Sequence, residues 1–207
     1  MSVDVSGIAE KLLAVLKLIV GIALLPLLYT SSVAFVNQMG HIQKSFQNFF
    51  WLGSLVFLIF FLFIWEPEVL YTGGQRLLEM IFSFFQPFAR IAPFLLPIYT
   101  IILFMAYGLV SLGISESWFL EYCMLLAGFT IVMHIVFTAR ALGTQNDDFL
   151  KANYVLRFSL VYIINVMLLA LLLGLVFKQF SSLEFFKGSF LSAREIVTAL
   201  FKQIFVR

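Results

Sequence analysis

The stretch FFWLGSLVFLIFFLFIWEPE, residues 49–68, decides how the chain is read. Its first seventeen residues hold no formal charge and a single hydroxyl, Ser54, and it then stops on Glu66, Pro67 and Glu68. A helix rises 1.5 Å per residue, so about 20 apolar residues cover the roughly 30 Å of hydrocarbon in a bilayer. Trp51 and Trp65 sit where indole rings prefer to be, half buried at the headgroup boundary. The two carboxylates resist entering hydrocarbon, and the proline has no N–H and disfavours helix in the residue before it. The stretch therefore reads as a membrane-spanning helix with a marked end.

The rest of the chain agrees. Of its 207 residues 62% are hydrophobic and 12% charged, with a mean hydropathy of +1.05, where soluble domains carry about a quarter charged residues. A net charge of +2, scattered along the chain, excludes the basic footprint of a nucleic-acid partner. Cys123 is the only cysteine, which removes any intrachain disulfide or cysteine metal site.

Distances between successive charges locate the spans. Residues 18–43, 45–65, 91–115, 122–139 and 158–177 are free of formal charge, which predicts five membrane helices near 18–37, 47–65, 92–113, 121–139 and 158–177 in one helical membrane domain, 1–207. The first apolar run, followed by Ser32, Val33 and Ala34, superficially fits a secretory signal. Asp4 and Glu10 precede it where a signal carries net positive charge, so it is expected to be a span.

Two segments have a different periodicity. In 75–90, Leu77, Leu78, Ile81, Phe84, Phe85 and Phe88 recur on one side and Arg76, Glu79, Ser83, Gln86 and Arg90 on the other, the pattern of an amphipathic helix lying in the interface. Gly73 and Gly74 are expected to turn into it, and Pro87 to end or bend it. In 192–207 an apolar stripe from Ala193 to Ile204 opposes Arg194, Glu195, Thr198, Lys202 and Gln203, and Ser192 with Glu195 fits a capping box. This basic helix suits anionic lipid and a partner chain equally.

Polar groups at membrane depth are costly and so are functional candidates. His134 lies six residues from Arg140, roughly 9 Å of helix, and Asn165 eight from Arg157, roughly 12 Å. Each is read as an interhelical hydrogen bond, with proton relay or transport as the alternative. Pro26, Pro93 and Pro97 offer helix breaks, and Pro26 has polar company in Thr30, Ser31 and Ser32, whose hydroxyls can satisfy freed carbonyls. Ala170 and Gly174 form a small-xxx-small pair where another helix can approach. The polar 140–157 connection, with Arg140, Asp147, Asp148, Lys151 and Arg157, is a partner-contact candidate or a solvated turn, and Thr144 with Asp147 fits a capping box. Arg76, Arg90, Arg194 and Lys202 are the other candidate partner contacts.

No nucleophile elbow, phosphate loop, zinc helix or dinucleotide fingerprint occurs. Glu121 and His134 are thirteen residues apart, roughly 20 Å on one helix, too far to share a reaction. The expectation is an all-α integral membrane protein without catalysis, metal or cofactor. It would scaffold or anchor a larger membrane complex among lipids and other membrane subunits, in a plasma or inner membrane. A small transporter or channel for a solute, ion or lipid is the alternative. Lys11, Lys17, Arg76, Arg90, Arg140, Lys151 and Arg157 on one side against Lys44 on the other put the N-terminus in the cytoplasm. Five spans then leave the tail outside, against the sign of its own cations. A cytoplasmic tail would need a sixth crossing or a re-entrant piece within residues 69–110.

Overall fold

A computed structural model describes residues 5–64, 68–113, 117–144 and 152–205. Among these the chain forms α1 (Val5–Met39), α2 (Lys44–Ile59) continued by a π-helical turn over Phe60–Ile64, α3 (Glu68–Ile81), α4 (Gln86–Leu95), α5 (Ile98–Val110), α6 (Ser117–Thr144), α7 (Ala152–Val176) and α8 (Ser182–Phe205), with no strand. Four stretches, Ala9–Met39, Lys44–Phe63, Ser117–Thr144 and Asn153–Val176, are long and apolar enough to cross a membrane. The protein is an all-α membrane protein, as the charge-free intervals predict, since only closed backbone hydrogen bonding survives in hydrocarbon.

The core lies between α1, α2, α6, α7 and α8, where Phe35, Met39, Phe50, Met124, Leu173 and Phe185 meet. A second cluster, Phe57, Tyr71, Met133 and Phe137, joins α2, α3 and α6. Outward, large apolar side chains such as Leu12, Phe63, Leu112 and Leu175 stay exposed, as befits a surface solvated by lipid tails. Gly53 and Gly128 bring α2 and α6 into backbone contact. A Cβ at Gly53 would collide with the Leu125 carbonyl and one at Gly128 with the Phe50 carbonyl. Ala170 and Gly174 also admit a neighbour, the start of α8: Ser182 Oγ donates to the Ala170 carbonyl at 2.9 Å and occupies the space a Gly174 Cβ would need.

Four expectations are corrected. The third span, 92–113, is not one helix: α4 ends at Leu95 and α5 is only 13 residues long, about 20 Å. Leu96, before Pro97, is extended at φ −105°, ψ 120°, the conformation that a following proline imposes. The 75–90 amphipathic helix is also divided: α3 runs through Gly73 and Gly74 to Ile81, a turn follows, and Pro87 stands in the first turn of α4 rather than at an end, where its missing N–H has no helical partner to lose. The buried face of α3 is Tyr71, Gly74 and Leu78, while Leu77, Ile81, Phe84 and Phe85 are exposed, because Gly74 takes the close approach of Ile98 and Tyr99. Pro26 does not break α1, which is helical from Val5 to Met39.

The fourth correction concerns the tail. Its helix begins at Ser182, so Ser192 and Glu195 are mid-helix. The N-terminal hydrogen bond is Ser181 Oγ accepting from the Glu184 N–H at 3.2 Å. Instead of lying apart, α8 folds back along α1. Gln38 meets Ser181 and Glu184, and Thr30 meets the Ser189 carbonyl at 2.8 Å. Eight residues separate the contacts on each helix, so the two run antiparallel in register. Thr144 closes α6, donating to the Ala141 carbonyl at 3.0 Å; its expected partner Asp147 lies outside the described residues.

Candidate functional site

The extended break at Leu96 and Pro97 leaves two carbonyls of α4, those of Phe94 and Leu95, without the N–H four residues on that a continuous helix would supply. Ile98 turns its own N–H to the Leu96 carbonyl at 2.9 Å instead. An unpaired carbonyl in hydrocarbon is costly. The two polar side chains singled out in the long spans supply the donors. His134 Nε2, on α6, reaches the Phe94 carbonyl at 3.2 Å, and since a carbonyl only accepts, Nε2 carries the proton. Asn165 Nδ2, on α7, donates to the Leu95 carbonyl at 3.2 Å and to Val161 in its own helix at 2.8 Å. Both side chains are buried, Asn165 completely, and among the described residues Asn165 Oδ1 has no hydrogen-bond partner.

Around this break further hydroxyls pair between helices: Thr100 with Thr130 at 2.9 Å, Tyr71 with Thr138 at 3.0 Å, and Tyr99 donating to the Leu70 carbonyl at 2.6 Å. A cavity of about 10 Å³ beside His134, bordered also by Tyr71, Gln75 and Thr130, is the size of one water centre. A broader apolar groove of about 500 Å³ lies between Ile91, Phe94 and Leu95 of α4 and Leu160, Val161 and Ile164 of α7, with Arg157 at its edge.

Thr30, Ser31 and Ser32 are placed elsewhere. Thr30 shares its proton between the Ser189 and Pro26 carbonyls, Ser31 donates to Leu28, and Ser32 lies 2.8 Å from both the Leu28 carbonyl and the Tyr162 hydroxyl. These hydroxyls bond within α1 and tie it to α7 and α8; the carbonyl that Pro26 deprives is that of Ile22, which they do not reach. Among the described residues no group of three metal-ligating side chains occurs.

The charged candidates are scattered. Arg76, Arg140, Arg157, Arg194 and Lys202 are exposed on α3, α6, α7 and α8. Asp147, Asp148, Lys151 and the Arg90 side chain lie outside the described residues. Sequence reasoning missed Gln38 and Gln47 as buried polar groups: Gln38 holds the start of α8, and Gln47 donates to the Ile42 carbonyl at 2.6 Å. Ser45 and Glu121 also hydrogen-bond, joining the starts of α2 and α6. The signal for Gln47, Ser45 and Glu121 is a polar residue at or beside a charge at a span end; Gln38, six residues before Lys44, carries no such mark. The chain matches no protein-family model, no curated protein and no solved structure.

Proposed function

We propose that this chain is a non-catalytic, multi-pass subunit that anchors or organises a larger membrane assembly. The observation that carries the reading is how its deep polar side chains are used. His134, Asn165, Thr30 and Ser32 each bond to a neighbouring helix of the same chain, which fits a role in holding the bundle rather than in lining a path for a solute. The unmatched chemistry is on the outside, where exposed charges of α8 accompany a wide apolar surface.

An orientation goes with this reading. Lys11, Lys17, Arg76, Arg140, Arg157 and Lys202 belong to the end of the bundle where α1 begins, and Lys44, Lys178 and Lys187 to the other. We place the first end in the cytoplasm. Lys202 of the tail then accords with the rule, because α8 returns toward the starting end.

The test is purification of the tagged chain from its own membrane in mild detergent. Recovery with other chains at a fixed stoichiometry is the expected result. Recovery alone, together with saturable transport of a solute by the pure chain in liposomes, overturns the proposal.

A further inference from the structure

The register of α8 on α1 fixes the depth of its charges. Starting from Ser181 at the level of Gln38, Arg194 lies thirteen residues along, about 20 Å further down the bundle at 1.5 Å per residue. That is the level of Leu25, within the charge-free run of α1, and by the same count Lys202 is level with Lys17. Arg194 and Glu195 are therefore carried to membrane depth. Both are exposed, and neither forms an ion pair with another described residue. Adjacent residues on a helix do not face one another, so they do not neutralise each other either. Charges at that depth are paired or face water or protein, and do not stand against lipid tails.

At 100° per residue the charges of α8 fall on one stripe. Leu191 and Thr198 lie close to its midline, while Arg194 and Glu195 flank that midline by about 50° on opposite sides and at nearly the same height. This arrangement is complementary to itself. When two such helices are related by a twofold axis along their length, the left flank of one faces the right flank of the other. Thr198 and Ala199 are small enough for close approach between them. Lys202 is left over at the level of Lys17, where headgroups and water are available.

We propose that the outer face of α8 is a self-association surface on which two copies of this chain pair inside the membrane, the Arg194 guanidinium of each copy meeting the Glu195 carboxylate of the other. The proposal deepens the assembly role above and rests on it: the pair forms the centre to which other subunits attach. An unrelated partner would have to bring an acid and a base of its own in the opposite order, whereas a second copy already has them.

The experiment uses the full chain in lipid nanodiscs at low protein-to-lipid ratio, with copies counted by single-molecule photobleaching. The natural chain should give two copies per disc. Arg194→Glu and Glu195→Arg, each alone, should dissociate the pair at concentrations about tenfold above the natural value or more. The double variant Arg194→Glu/Glu195→Arg should pair again, and chains with the two single changes, mixed, should pair with each other. Cysteines at Thr198 in a Cys123→Ser background should crosslink copy to copy. Should either reversal impair folding, Arg194→Gln and Glu195→Gln serve in its place, each weakening pairing. Single copies of the natural chain, pairs indifferent to the single reversals, or crosslinks to a different chain overturn self-pairing. Co-purification with other subunits from the native membrane would survive that result, so the two proposals fail separately.

Discussion

A histidine and an asparagine, forty and seventy residues along from the carbonyls they serve, hold the break at Pro97. His134→Gln keeps an N–H donor and should leave thermal unfolding in detergent nearly unchanged, while His134→Leu should cost about 1 kcal/mol, the scale of interhelical hydrogen bonds in membranes. In a Pro97→Ala background the same His134→Leu change should cost less, because Ile98 can then donate to Phe94 as in a continuous helix. An equal loss in both backgrounds would separate the histidine from the break. The sequence marks His134 and Asn165 as deep donors by depth alone, since each is flanked by apolar residues. It does not show their acceptors, which are backbone atoms of another helix and have no residue type. Pro26 looks like the break because its neighbours are hydroxyls; those hydroxyls bond to carbonyls other than the one the proline deprives. The legible sign of the true site is arithmetical: a proline at 97 interrupts the helix and frees carbonyls, and two deep side-chain donors, His134 and Asn165, lie elsewhere in the chain.

The elements divide into those read from charge spacing and those set by packing. α1, α2, α6 and α7 are long apolar runs between charges, and length alone identifies them. The division of α3 from α4 and the extent of α8 depend on contacts: Gly74 under Tyr99, Phe185 buried beneath α1, Ser182 over Gly174. Close approach of α2 to α6 makes a sharp prediction. Gly128→Leu should lower stability by about 2 kcal/mol or more, as overpacking at a backbone contact does, and Gly53→Leu likewise. Gly108→Ala, where an added Cβ meets nothing within 4 Å, should be neutral or slightly stabilising through its effect on helix propensity. Thermal unfolding of the three variants in one detergent checks this; equal behaviour of Gly128→Leu and Gly108→Ala would contradict the α2–α6 contact.

At the scale of the whole molecule, the return of α8 puts both described ends of the chain at one end of the bundle. In a Cys123→Ser background, cysteines at Glu10, Thr144 and Lys202 should react with an impermeant reagent from one side of sealed vesicles, and those at His41 and Ser111 from the other. Labelling of Lys202 with His41 would return α8 to a place outside the bundle. Charge spacing does not reveal the path of α8, whose charges interrupt its apolar run; only its register on α1 shows that it runs back along the bundle. The break at Pro97 also bears on biosynthesis. A ribosome finishes Phe94 and Leu95 before it has made His134 or Asn165, so α4 and α5 emerge with carbonyls that only later helices can cap. During synthesis this segment is expected to wait until α6 and α7 arrive before it settles into the bundle. Its entry is thus timed by the polypeptide still to come, and truncation before residue 165 would strand it in that waiting state.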